Sequence, residues 1–127
     1  MAVKFLSGEW AAAVKAALNE DQEFRQAAAG KKASIQQVIT GPDGQTDYWI
    51  MIDDGSIDMG VGDASAPDAT ITQSYETATA LAKSELSAVT AYMTGKIKIG
   101  GNLGLLLSLQ SVLARLPTAM ASVDTDY

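Results

Sequence analysis

The sequence predicts an α+β domain: a five-stranded, mainly antiparallel sheet covered by about five helices. Three observations carry that expectation. The apolar period is helical as far as Ala29, alternating from Ala33 to Gln73, and helical again from Ser74. Two turn signals, Gly41-Pro42-Asp43-Gly44 and Asp53-Asp54-Gly55, join consecutive strand-like runs closely enough to force antiparallel pairing. One further strand-like run, Lys96-Ile97-Lys98-Ile99, stands between helical stretches and enters the sheet after a helical crossover.

The first helix starts near Ser7, which can cap it, with Glu9 suited to the first turn. Leu6, Trp10, Ala13, Val14, Ala17 and Leu18 form its apolar stripe. A shorter helix is expected from Asp21 to Ala29, closed by Gly30. Ala33 to Thr40 is rich in β-branched residues and reads as a strand. Gln45 to Asp53 holds Tyr48, Trp49, Ile50, Met51 and Ile52; being apolar on both faces, it predicts a strand covered on both sides. Ser56–Val61 and Asp68–Gln73 alternate and are the next two strands, parted by a loop from Gly62 to Pro67. Helical spacing returns with Ala78, Leu81 and Ala82, and again from Ser87 through Val89, Tyr92 and Met93 to a stop at Gly95. After the Ile97–Ile99 strand, Gly100-Gly101-Asn102 leads into a helix from Leu103 to Leu116, ended by Pro117. The expected organisation is one domain over residues 1–117 and a mobile tail over 118–127, where large apolar residues are sparse.

Composition removes several function classes. The 127 residues include no cysteine and no histidine, which leaves no thiolate nucleophile, no imidazole base and no zinc site of the usual kind. No nucleophile–base pair can be named, so the expectation is a protein that is not an enzyme and has no cofactor. The net charge of −6 opposes nucleic-acid binding and, on average, anionic membranes. Asp53, Asp54 and Asp58 lack calcium-loop spacing, and an Asp-Gly turn already accounts for two of them, so no metal is expected. No GxGxxG or Walker pattern surrounds the glycines between Gly95 and Gly104. Lys96 and Lys98 are most simply charges on an edge strand that discourage aggregation; contact with a ligand's carboxylate or phosphate is the other reading. No targeting segment is evident, and the cytoplasm is the expected compartment.

The Leu103–Leu116 helix carries the strongest functional signal. Leu103, Leu106, Leu107 and Leu113 mark one side, with Gln110 among them; Leu105, Leu109, Val112 and Leu116 mark another. Such a helix needs apolar neighbours over most of its circumference. It is either a central core helix or one with a face on the sheet and a face on a ligand cavity. In the second case Gln110 is the lone polar group able to orient a lipid headgroup.

The run Tyr92-Met93-Thr94-Gly95-Lys96-Ile97-Lys98-Ile99-Gly100-Gly101-Asn102, continuing as Leu103-Gly104-Leu105-Leu106-Leu107-Ser108-Leu109-Gln110, resembles the signature of the sterol carrier protein type 2 family. Pro67-Asp68-Ala69-Thr70-Ile71-Thr72 is similar to the strand before that family's middle helices. The resemblance implies a hydrophobic tunnel between sheet and helices. It implies binding of a fatty acid, fatty acyl-CoA or sterol-like lipid, which many members also transfer; separately, no uninterrupted apolar run is long enough to span a bilayer, so no stable membrane insertion is expected. By matched position Gln110 would be the polar contact, and Met93, Leu103, Leu106 and Leu107 would line the tunnel. The alternative is a non-catalytic interaction or structural module, its tunnel filled by its own side chains, working beside a lipid-metabolising partner.

Overall fold

A computed structural model describes residues 2–42, 44–83 and 85–126; of residues 88 and 89 it describes the backbone alone. Asp43 of the first turn and the Val89 side chain therefore lie outside the described residues.

Strand β1 (Val3–Lys4) leads into helices α1 (Gly8–Glu20) and α2 (Gln22–Ala28). Strands β2 (Lys32–Gly41), β3 (Gly44–Asp53), β4 (Ser56–Val61) and β5 (Ala69–Ser74) follow. Then come α3 (Tyr75–Ala82), α4 (Ala88–Met93), β6 (Ile97–Gly101), α5 (Leu103–Ser108), α6 (Gln110–Leu113), α7 (Leu116–Ser122) and β7 (Thr125–Asp126). The main sheet has five strands in the order β4-β3-β2-β5-β6. Only β2 and β5 pair in parallel; the other three pairings are antiparallel. This is the α+β architecture that the alternation of periods predicts.

Local chemistry sets the element boundaries. Ser7 Oγ accepts from the Trp10 amide at 3.2 Å and caps α1, while Ser74, Ser87 and Asn102 cap α3, α4 and α5 in the same way. Asp54 and Gly55 both take positive φ, at 45° and 87°, as a tight hairpin between β3 and β4 requires.

Register places Ile35 opposite Ile50, Ile50 opposite Met59, Ile35 beside Ala69 and Ile71 opposite Ile99. All these side chains share the face covered by helices. Trp10, Val14 and Leu18 of α1 and Phe24 of α2 pack there and are fully buried, as are Ile35 and Ile50. Phe5, Trp10, Tyr48 and Tyr75 join edge to face, with ring centroids 5.1 to 5.5 Å apart.

Three expectations change. Strand β3 is not covered on both faces: Tyr48, Ile50 and Ile52 are buried, but Met51 is 45% exposed and Trp49 is half-buried. Trp49 lies over its ladder partner Gly60, where an added Cβ would stand 2.6 Å from the indole. Its apolar surface is thus partly covered within its own sheet. The single helix expected from Leu103 to Leu116 is three pieces, and Pro117 stands at the start of α7 rather than at an end. Proline suits that place because a first-turn amide has no intrahelical acceptor. Finally, residues 118–126, expected to be mobile or loosely docked, carry most of α7 and the strand β7. Ala119 and Met120 are buried in the core, and Val3↔Thr125 and Lys4↔Asp126 pair in parallel. Leu116, Ala119 and Met120 stand at i, i+3 and i+4 and give the short helix one apolar face to dock.

Candidate functional site

The five residues singled out from the sequence do not share one environment. Leu106 is buried at 5% exposure and belongs to the core cluster. Met93, Leu103 and Leu107 are exposed, at 79%, 38% and 57%. Gln110 is exposed at the start of α6. The helical turns of α5 and α6 are nearly continuous, with the Leu113 amide bonded to the Leu109 carbonyl at 2.8 Å. Leu106, Leu109, Val112 and Leu116 make the inward stripe; Leu103, Leu107 and Gln110 make an outward one. Leu106 therefore parts from Leu103 and Leu107, with which the sequence grouped it. Spacing alone did not reveal which stripe would meet the sheet.

Coverage of the helix-facing side of the sheet is uneven. On β2 and β3 the side chains of Ile35, Ile39, Ile50 and Ile52 are buried almost completely. On β5 and β6 Ala69, Gln73 and Ile97 are buried too, but the ladder partners Ile71 and Ile99 are only half-buried; in the helical layer Leu105 and Leu113 are half-buried as well. Helix α5 packs on β5, and α4 on β6. Between these elements lies apolar surface that the protein's own side chains cover incompletely.

Two polar residues interrupt the helix-facing side: Gln37 and Gln73, both buried. Gln73 Nε2 donates to Gln37 Oε1 at 3.3 Å, and Gln73 Oε1 has no hydrogen-bond partner among the described residues. A buried carbonyl oxygen left without a donor costs about 1–3 kcal/mol. Tyr48, the ladder partner of Gln37, is also buried, and burial pushes its phenol well above the ordinary range, so it stays protonated. No sequence pattern pointed to Gln37 or Gln73. The available signal was an amide at alternate positions of a strand whose neighbours on that face are isoleucines. On the opposite face Gln36 fastens the loop after β4. Its Nε2 donates to the Tyr48 and Gly62 carbonyls, and its Oε1 accepts from the Ala64 amide.

The acidic residues have local partners. Asp58 pairs with Lys15 at 2.9 Å, Asp53 with Lys32 at 3.8 Å, and Asp54 accepts from the Gly30 amide at 2.7 Å. Among the described residues no group of three or more acidic side chains converges as a metal site would need. Asp63 shares a hydrogen bond with Asp47, and that bond together with their like charges holds its carboxyl above the usual range. A half-open cavity of about 480 Å³ lies at the β2–β3 hairpin, lined by Phe5, Leu6, Ile39, Pro42 and Tyr75 among others. It includes none of Met93, Leu103, Leu106, Leu107 or Gln110. Among the described residues no helix is long and apolar enough to cross a membrane.

This order of strands and helices is that of sterol carrier protein 2 structures. The crystal structure of a sterol carrier protein 2 superposes with a TM-score of 0.82 at 19% identity, covering 94% of this chain and 99% of that one. A conserved hypothetical protein from Thermus thermophilus gives 0.81 at 19% identity, covering 98% and 92%. The palmitated SCP2L2 of Aedes aegypti gives 0.58 at 20% identity, covering 99% and 100%. A search of curated proteins finds no match. The model of the SCP-2 sterol transfer family matches residues 13–114, and the chain belongs to that family.

Proposed function

We propose that this protein binds an apolar lipid (a fatty acid, fatty acyl-CoA or sterol-like molecule) between β5–β6 and α5, and carries it through water. The observation that carries this reading is the fall in burial from Ile35 and Ile50 to Ile71 and Ile99 on one face of one sheet. Apolar side chains that face a helical layer yet remain half-covered gain most from an apolar guest. A lipid there would rest on Ile71 and Ile99, pass Leu105 and Leu106, and emerge past Leu103, Leu107 and Met93. Gln110, exposed in line with Leu103 and Leu107, would meet a headgroup left at the surface. The palmitated relative supports an acyl chain as one ligand. The role is binding rather than catalysis, and the cytoplasm is the expected compartment.

Each buried methylene contributes about 0.8 kcal/mol, so ten supply roughly 8 kcal/mol, the free energy of about micromolar binding before entropic costs are subtracted. The test is palmitate titration of the native chain and of Ile99→Trp, with native mass spectrometry of the purified protein to identify any lipid it carries. Ile99 lies on an edge strand, where an indole can occupy the gap without displacing the α1 core. The variant should bind at least about tenfold more weakly, since it fills the volume of several methylenes. Equal affinity in a variant that melts cooperatively would remove this site. No palmitate binding by the native chain at tens of micromolar would replace the carrier reading with the interaction module.

A further inference from the structure

The amides of Gln37 and Gln73 adjoin the half-covered apolar surface. Register sets Tyr48, Gln37, Ile71 and Ile99 in one row across β3, β2, β5 and β6, on the helix-facing side of the sheet. Neighbouring strands stand about 4.8 Å apart, so Gln37 is next to Ile71, and Ile71 is next to Ile99. Gln73 lies two residues beyond Ile71 on the same strand and the same face, with Ile39 and Ile97 as its own ladder partners. A guest resting on Ile71 and Ile99 therefore has these amides on its side toward the centre of the sheet.

The pair is buried and only half satisfied. Gln37 and Gln73 are 5% and 8% exposed. The bond between them leaves Gln73 Oε1 without a donor, and Gln37 Nε2 without an acceptor, among the described residues. Turning both amides over changes which residue holds which group but not the remainder, because one N–H···O bond always consumes one donor and one acceptor. A free acceptor beside a free donor fits a hydroxyl, which donates through its hydrogen and accepts through its oxygen. A carboxylate only accepts, so it would leave the amide oxygen unpaired. It would also lack a counter-charge, since among the described residues no charged side chain is buried. The methyl end of an ordinary acyl chain satisfies neither amide.

We propose that Gln37 and Gln73 form a hydrogen-bonding subsite inside the lipid site, selecting a chain that carries a hydroxyl at its buried end, as an ω-hydroxy fatty acid does. The subsite rests on the carrier reading and concerns the inner end of the ligand, whereas Gln110 concerns the outer one. In a purely apolar site a terminal hydroxyl weakens binding, because it gives up water and gains no partner. Here the sign reverses, because the hydroxyl completes two amides that the protein leaves half satisfied.

The test is titration of the native chain with palmitate, 16-hydroxyhexadecanoate and 16-methoxyhexadecanoate, which share one carboxylate and one carbon chain. The hydroxy acid should bind about tenfold more tightly than palmitate. The methoxy acid keeps the oxygen but has lost the donor, and should bind no more tightly than palmitate. Gln37→Met with Gln73→Met removes both amides at nearly constant volume, and replacing both partners of a buried bond by apolar groups is close to neutral for stability. In that variant the hydroxy acid should lose its advantage and bind more weakly than palmitate. If the variant fails to fold, the native series decides alone. Palmitate binding at least as tight as the hydroxy acid in the native chain would overturn the subsite and leave the carrier standing; an interior water would then complete the amides. A preference for the hydroxy acid that persists without the two amides would place its hydroxyl elsewhere and overturn the subsite equally. Binding of none of the three acids at tens of micromolar would reject the carrier, and the subsite with it.

Discussion

Gly101 shows how much one residue can decide. It ends β6 at φ +84°, and a Cβ there would stand 2.7 Å from the Asp68 carbonyl oxygen and 3.0 Å from the Ala69 Cα. The neighbours are backbone, so no rotamer change can make room. The following amide, of Asn102, donates to that same Asp68 oxygen at 3.0 Å, and the Asn102 side chain then caps α5. Gly101→Ala should therefore lower stability by roughly 2–4 kcal/mol, combining a left-handed backbone with a backbone clash. Urea unfolding measures this. Gly100→Ala is the control, since a Cβ at Gly100 meets nothing within 4 Å. Equal costs at the two positions would mean that the close approach to Asp68 is relieved by backbone movement.

Among the elements, α7 departs most from its expected character. Its Leu116, Ala119 and Met120 are buried with the core, and it packs on α1 and α3. The adjoining β7 pairs with β1, whose following residues Phe5 and Leu6 are also buried. Removing residues 118–127 should cost about 2–4 kcal/mol, mainly from exposing Met120 and the surface beneath it. A tail without contacts would cost nothing, so a urea midpoint that does not move on truncation would argue against the docked helix. The neighbouring α5 and α6 divide an apolar helix into an inward stripe anchored by Leu106 and Leu109 and an outward stripe of Leu103 and Leu107.

At the scale of the molecule, one ion pair ties distant parts of the chain. Arg115 donates from Nε and Nη2 to the Asp21 carboxylate at 3.0 and 2.8 Å, and its Nη1 lies 3.1 Å from Glu23. It joins the α6–α7 junction to the junction of α1 and α2. The Arg115 hydrogen bonds hold the Asp21 carboxyl below its ordinary range, against a smaller opposing effect of burial. A carboxyl lowered in the folded state stabilises fully above its unfolded pKa, and that stability is lost as pH falls through the lower folded value. Arg115→Gln should thus lower the urea midpoint at pH 7. The difference from the native chain should shrink below about pH 4, near the unfolded value of an aspartate. A difference independent of pH down to full protonation would show that Arg115 acts through packing of its stem instead.

The sequence by itself determined the order of elements from Ser7 to Ile99, both tight hairpins, the Ser7 cap and the family resemblance. These depend on periodicity, on φ restrictions and on hydrogen bonds between residues a few positions apart. Ser7, Asp54-Gly55 and the alternation of Ser56–Val61 could be read without knowing anything distant. Tertiary structure decided what depends on which surfaces meet. It turned Leu106 inward while Leu103 and Leu107 stayed outside, and left Met51 exposed on a strand expected to be covered. It docked α7, buried Gln37 and Gln73 together, and set Arg115 against Asp21. In each case local sequence leaves several faces equally apolar or equally polar. Burial is a property of the pair of surfaces that finally pack, and only the folded chain specifies that pair.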